Sequence, residues 1–385
     1  MLMFRDVAAA DQAHTDVREV FRQGVERLFE RFADQPEAGQ ETALMLSDLY
    51  LQLADVEGAV PLLERLLAWP GIKANPGVLA QARYNLAQAE LVRGNIARAQ
   101  TLLDQAQAHW SATVGIVQQA LLNESRNLQS RLQRSQGRTE DALATLRAAI
   151  VERERLLGAH DAESGAQYVS LAIGLMQIGR LDEAEAVVTE GLGVYAQLGL
   201  AESDGGMAAL NARANIALAA GRPQESIEDL RRVVSTTRAL YGQTPKLATA
   251  LNNLGIVLMR SGQAHEAAPV MEEALRIARA SAGERSRLAV ALRGATAEAW
   301  ASTGRVEAAA PLVEDALEIA RTDFATDPLL VGTAHRVRAK VRIEQRLIAQ
   351  AHEDLDQASA YFRAAGTVGE PYLQRVQALR QTLVD

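Results

Sequence analysis

Residues 252–275 read Asn252-Asn253-Leu254-Gly255-Ile256-Val257-Leu258-Met259-Arg260-Ser261-Gly262-Gln263-Ala264-His265-Glu266-Ala267-Ala268-Pro269-Val270-Met271-Glu272-Glu273-Ala274-Leu275. Apolar residues recur every three to four positions, the period of an amphipathic helix, and Gly262 breaks the run. Two helices joined by a tight glycine turn account for this stretch. Small residues at Gly255 and Ala267 let the two helices approach closely.

The same frame recurs along the chain. Ala172, Leu175, Gly179, Glu183 and Ala184 repeat it, as do Ala297, Trp300, Gly304, Ala309 and Ala316-Leu317. Weaker copies run through Ala87, Gly94, Ala99 and Ala106, then Gly137, Ala142 and Ala149, then Ala214, Gly221 and Ser226. Ser47, Tyr50, Ala54 and Ala59 open the series, and Ala339, Arg346, Ala351 and Ala358 close it. The anchoring small residue therefore falls at 59, 99, 142, 184, 226, 267, 309 and 351, always 40 to 43 positions apart. Eight copies at so even a spacing identify an all-helical solenoid. Pro61, Pro269 and Pro311 follow their anchors by two residues and Pro223 follows Gly221. The reading places all four near the first turn of a second helix, where a missing N–H costs little.

Composition agrees and excludes much else. Of 385 residues, 48% are hydrophobic, only 4% are aromatic and none is cysteine. Disulfides, thiolate metal sites and cysteine nucleophiles are thereby ruled out. A net charge of −8 argues against binding nucleic acid or an anionic membrane surface. No apolar run reaches the length of a membrane span.

Period alone also suits HEAT or armadillo repeats, so the internal frame decides. Leu254-Gly255, Leu258, Ala267, Met271 and Ala274 resemble the tetratricopeptide repeat. Asn252-Asn253-Leu254-Gly255, Glu266-Ala267-Ala268-Pro269 and Leu157-Gly158-Ala159-His160 are similar to the long repeats of kinesin light chains. The resemblance implies a right-handed α-solenoid of about eight 42-residue hairpins. Residues 1–39 read as a lead-in and N-terminal capping helix, 40–365 as the eight repeats, and 366–385 as a C-terminal capping helix. Val17, Phe21, Val25, Leu28, Phe29 and Phe32 mark the first cap, and Tyr372, Val376 and Leu379 the last.

Catalytic patterns are missing. The six histidines, His14, His109, His160, His265, His335 and His352, form no HExxH or paired motif, and no phosphate-cradling loop or GxSxG elbow occurs. The expectation is a non-enzymatic chain with no catalytic residues, no metal and no cofactor. His160 and His265 read as turn residues, and Trp300 as core. Trp69 and Trp110 fit either core or an exposed contact. Arg336, Arg338, Lys340, Arg342 and Arg346 form one basic cluster, readable as a solvated edge or as an anion-binding patch.

In this fold the first helices line the concave side. Positions three before, one after and four to five after the Gly255-type residue face it. The lining so derived includes Asp48, Arg134 and Glu298. The proposed protein- or peptide-binding groove within it comprises Tyr84, Gln88, Asn127, Arg131, Val169, Ile173, Met176, Asn211, Asn215, Asn252, Ile256, Met259, Arg336 and Lys340. Asparagine and arginine can bond a peptide backbone or carboxylate, and Val169, Ile173 and Met176 form an apolar stretch among them. Those apolar residues equally suit packing between repeats. Asn85 and Asn253 stand at positions similar to peptide-orienting asparagines of related repeats, or cap their own helix pair.

Phe4-Arg5-Asp6, Val17-Arg18-Glu19-Val20-Phe21, Gly24-Val25-Glu26-Arg27-Leu28 and Ala33-Asp34-Gln35-Pro36 resemble the segment after the transmembrane helix of bacterial receptor-like Ser/Thr kinases with C-terminal tetratricopeptide arrays. That resemblance implies the periplasmic sensor half of a membrane-anchored kinase, bound to a protein or peptide ligand. The alternative is a cytoplasmic scaffold, or the regulatory array of a transcription activator. Nothing in the residues points to a nucleic-acid partner, and they leave the oligomeric state open.

Overall fold

The computed structural model describes Val25 and residues 28–52, 56–158 and 160–383. The expectations for residues 1–24 and for Ala54 and Ala159 lie outside these. Among the described residues the regular structure is helical: α1 (Pro36–Gln52), α2 (Val56–Leu67), α3 (Pro76–Val92), α4 (Ile96–Ala112), α5 (Ile116–Ser135), α6 (Thr139–Leu157), α7 (Ala162–Gln177), α8 (Leu181–Gln197) and α9 (Asp204–Ala219), followed by α10 (Pro223–Tyr241), α11 (Pro245–Arg260), α12 (Ala264–Ala282), α13 (Arg287–Ser302), α14 (Val306–Asp323), α15 (Pro328–Glu344), α16 (Ile348–Ala364) and α17 (Glu370–Gln381). The chain is an α-solenoid of consecutive packed helices, and it divides into two compact units, residues 1–174 and 175–385.

Six hairpins turn in the same way. Gly94, Gly137, Gly179, Gly221, Gly262 and Gly304 all take φ between 76° and 81°. Beside each glycine the next amide reaches back five residues, as in Gln263 N to Leu258 O at 2.8 Å and Arg305 N to Trp300 O at 2.8 Å. This pattern caps the carbonyls that a helix end leaves unpaired. In the last hairpin Arg346 holds the glycine position at φ 62°, with Leu347 N bonded to Arg342 O at 2.8 Å. The local hydrogen bonds thus force a side chain into the left-handed region.

Several first helices carry their own start signals. Ser203 accepts from Gly206 N at 3.2 Å, Ser286 from Ala289 N at 3.2 Å and Asp327 from Leu330 N at 3.0 Å. The prolines depart from expectation. Pro223 opens α10, but Pro61, Pro269 and Pro311 lie inside α2, α12 and α14. Each is the sixth residue of its helix, in the second turn, so each forgoes a bond to the carbonyl four residues back.

The packing seam follows the repeat frame. Ala59, Ala99, Ala142, Ala184, Ser226, Ala267, Ala309 and Ala351 are all fully buried. A Cβ built at Gly255 would stand 2.7 Å from Met271 Cγ, so the hairpin formed by α11 and α12 closes only over glycine. In the N-terminal unit the core runs through Tyr50, Leu62, Leu63, Leu66, Trp69 and Leu86, then Leu103, Trp110, Leu128 and Leu132. Trp69 and Trp110 are both buried. In the C-terminal unit Leu230, Leu251, Leu254, Leu258 and Leu275 lead the main core, and α17 rests Val376 against Phe362 and Leu355 of α16. First helices pack side by side within each unit, α1 on α3, α3 on α5, α11 on α13 and α13 on α15.

Candidate functional site

The first-helix face of the N-terminal unit is built from α1, α3, α5 and the start of α7. Asn85 of α3 donates to Ser47 Oγ at 3.0 Å and to Asp48 Oδ1 at 2.6 Å on α1. Asn127 of α5 accepts from Ser170 Oγ at 2.6 Å and donates to Glu163 Oε1 at 3.3 Å, both on α7. These side chains bond neighbouring first helices to one another, which explains why amides recur at this register. Tyr84 is buried edge-on against Trp110, ring centroids 5.7 Å apart, and Gln88 is half-buried one turn further along α3. Val169 is buried and Ile173 half-buried on α7.

Electrostatically this face is unusual. Burial, then the charge of Glu124, pushes the Glu163 carboxyl up to about 8, against the hydrogen bond from Asn127 and the charge of Arg153. Glu124 is itself raised, first by burial. Arg153 is occupied by Asp161, to which it donates at 2.7 and 2.5 Å. Towards the other end of α5, Arg131 and Arg134 make no ion pair among the described residues. Burial lowers both guanidiniums, and the charge of Arg131 helps bring Arg134 to about 10. Arg134 Nη1 is buried with no hydrogen-bond partner.

The C-terminal unit is different. Asn211 Oδ1 accepts from Asn253 at 3.3 Å, and Asn215, exposed on α9, donates to Asn211 O at 3.0 Å. Asn252 is half-buried, Ile256 is exposed, and Met259 packs against the main core. Met176 is half-buried at the start of this unit. Arg336 donates to Glu298 at 3.3 and 2.8 Å, and Lys340 to Glu298 at 3.5 Å. Burial alone would raise Glu298, but the charges of Arg336 and Lys340 bring it down to about 2.

Of the rest of the basic cluster, Arg346 is exposed in its turn, and Arg338 and Arg342 close on Asp354, whose side chain is 2% exposed. Arg338 donates to it at 2.6 Å, Arg342 at 2.8 Å, and His335 Nδ1 lies 2.9 Å away. Burial would raise Asp354, and its bonds with His335 and Arg338 outweigh that, leaving the carboxyl below its ordinary range. Arg338 and Arg342 are neither a solvated edge nor a free anion patch. They are a buried structural node.

Sequence spacing placed the lining residues on first helices but missed Glu124 and Glu163. The available signal was periodicity, since Glu124, Asn127, Arg131 and Arg134 stand at i, i+3, i+7 and i+10 on one helical face. Among the described residues no three His, Asp or Glu side chains are grouped to hold a metal, and no helix is long and apolar enough to cross a membrane.

Tetratricopeptide-repeat family profiles match residues 80–105, 169–240, 206–280 and 246–322. No curated protein sequence matches the chain. Among solved structures, a signal transduction ATPase with a tetratricopeptide repeat sensor from Pyrococcus horikoshii is 15% identical at TM-score 0.59. The match covers 96% of this chain and 56% of that one. A Rap protein complexed with competence and sporulation factor is 12% identical at TM-score 0.55, covering 88% and 97%. A kinesin light chain-like repeat protein from Podosopora anserina is 21% identical at TM-score 0.47, covering 52% and 95%. With hairpins, turns and packing seam all following one frame, the chain is a tetratricopeptide-repeat protein.

Proposed function

We propose that this chain is a non-enzymatic recognition module that binds a protein or peptide on its first-helix faces and passes that binding to an attached domain. Tetratricopeptide arrays are built for such recognition, because stacked hairpins present many side chains along one extended surface. The observation that carries the reading is the pair Arg131 and Arg134, half-buried on a first helix without an internal carboxylate. Buried charge is ordinarily paired, so an unpaired guanidinium with an orphaned N–H is a vacancy for a ligand's acceptor. The solved relatives include a sensor array and a Rap protein caught with a bound factor, and both roles are of this kind.

The N-terminal resemblance carries the finer reading. The attached domain is a receptor-like Ser/Thr kinase, and the array is its periplasmic sensor. Sequencing the coding region upstream of Met1 tests the attachment: a membrane span preceded by a kinase domain supports it. A helix-turn-helix domain there moves the array to the cytoplasmic regulatory alternative. The binding itself is tested by affinity capture with the wild-type chain and with Asn127→Ala/Arg131→Ala/Arg134→Ala, both proteins and small peptides being identified by mass spectrometry. A ligand held by the first and lost from the second is expected. Identical eluates from both would contradict the reading.

A further inference from the structure

The charges on the first-helix face of the N-terminal unit are sorted into two poles. Glu124 on α5 and Glu163 on α7 form the acidic pole: Asn127 of α5 bonds Glu163 at 3.3 Å, and the charge of Glu124 disfavours ionisation of Glu163. Arg131 and Arg134 form the basic pole, close enough that the charge of Arg131 acts on Arg134. Neither pole neutralises the other. Glu124 and Arg131 are seven residues apart on α5, two turns and about 10 Å along the axis, and Glu124 to Arg134 spans about 15 Å. Tyr84 stands within electrostatic reach of Glu124, Glu163 and Arg131.

Among the described residues Arg153 offsets part of the acidic pole's charge, and no acid pairs with Arg131 or Arg134. Arg153 is the cation nearest the acids, and Asp161 already binds it through both oxygens. Arg134 Nη1 is buried without an acceptor, as is Arg153 Nη1 beside the acids, but Arg153 has Asp161 as its carboxylate and Arg134 has none among the described residues. Elsewhere the chain pairs its arginines with acids about one repeat away, as Arg222 with Glu185, Arg285 with Asp323 and Arg336 with Glu298. At Arg131 and Arg134 that habit is broken. Holding like charges together, half-buried, costs stability unless something of opposite charge completes each pole.

We propose that this face is a bipolar site for a short peptide with both termini free, its ammonium group held by Glu124 and Glu163 and its carboxylate by Arg131 and Arg134. The spacing fixes the ligand's length. An extended chain advances about 3.3–3.6 Å per residue, so 10–15 Å corresponds to about three to five residues. A single amino acid cannot reach both poles. A long chain places its two ends there only by accident. Asn127, one turn beyond Glu124 and bonded to Glu163 and Ser170, holds the acidic pole in place, and the two arginines offer the carboxylate a forked set of donors. This inference rests on the recognition reading above and specifies the ligand for it.

Proton linkage gives an independent signature. The groups facing Glu163 are Glu124 from α5, Arg153 from α6, Asp161 from the loop before α7 and Tyr84 from α3. A carboxyl held up to about 8 is mostly protonated at pH 7. An arriving ammonium favours its ionised form, so binding at pH 7 releases a proton and the calorimetric heat depends on the buffer.

The test uses the full chain and a randomised tetrapeptide pool in four forms: free, N-acetylated, C-amidated and doubly capped. Thermal denaturation and titration calorimetry read the binding. The expected result is stabilisation by the free pool, at least a tenfold loss of apparent affinity with either cap, and no response to the doubly capped pool. Arg131→Gln/Arg134→Gln, checked for helix content by circular dichroism, loses the response to the C-terminal carboxylate. Glu124→Gln/Glu163→Gln becomes indifferent to N-acetylation and releases no proton. Equal stabilisation by free and doubly capped pools, or none by any pool on the folded wild type, overturns the proposal. A ligand captured through Asn127, Arg131 and Arg134 but insensitive to end caps would leave the recognition role standing and remove this inference alone.

Discussion

Two basic pairs on first helices, Arg131 with Arg134 and Arg336 with Lys340, look alike in sequence and behave oppositely in the structure. Arg336 and Lys340 share Glu298, and their neighbours Arg338 and Arg342 share the buried Asp354 with His335. Arg131 and Arg134 have no carboxylate to share among the described residues, and the charge of Arg131 acts on Arg134. The difference lies in the adjoining repeats. Glu298 stands 38 residues before Arg336, one repeat back on the neighbouring first helix. Tyr84 faces Arg131 from the preceding first helix instead. Whether a charge in a solenoid is structural or available depends less on its own helix than on the residue about one repeat away.

The largest effect expected from breaking this contrast is at Asp354. Asp354→Ala removes the buried acceptor of Arg338, Arg342 and His335 and leaves the two arginines only the exposed Glu314 as a carboxylate partner. Removing one member of a buried ionic group costs about 3–5 kcal/mol, so urea denaturation should show a loss of that size. A change below about 1 kcal/mol would mean that water reaches the node freely.

Glu163 comes next, and its sign is opposite to the usual carboxylate. Its folded pKa is raised, so the stability it contributes is complete below the unfolded value near pH 4 and is lost as pH rises through about 8. Melting temperature should therefore decline across this window in the free protein. Glu163→Gln should flatten that decline, and an unaltered slope would place the strain elsewhere.

Arg346 gives a smaller effect. It occupies φ 62° where six other hairpins use glycine. Arg346→Gly should raise stability by about 1 kcal/mol, because the left-handed conformation is nearly free for glycine. A loss would show that the Arg346 side chain contributes more than its backbone costs.

The hairpins, their turns and the packing seam were legible in sequence because one 42-residue frame writes all three. Glycine at 94, 137, 179, 221, 262 and 304 announces the turn, and the buried Ala267-type residue announces the seam. Even Arg346 was legible as the exception, since it stands where the frame asks for glycine. Prolines were misplaced by about one turn, because distance from an anchor does not say where the helix begins. The site was legible only by position. Asn85 and Asn253 were readable as peptide contacts or helix caps, and the structure uses both to tie neighbouring first helices together. Glu124 and Glu163 lay outside the positions counted from the Gly255-type residue. Their importance comes from burial and from the charge of Glu124 acting on Glu163 of another helix, which no single-helix pattern contains.

The most direct test sets two double variants side by side in thermal denaturation and in binding of the free tetrapeptide pool. Arg131→Ala/Arg134→Ala should melt within about 0.5 kcal/mol of wild type, or slightly above it, and lose binding. Arg338→Ala/Arg342→Ala should melt well below wild type and, at temperatures where it is folded, bind as wild type does. If instead the first pair lowers stability as much as the second and leaves binding intact, then Arg131 and Arg134 are structural and the division between the two regions is wrong.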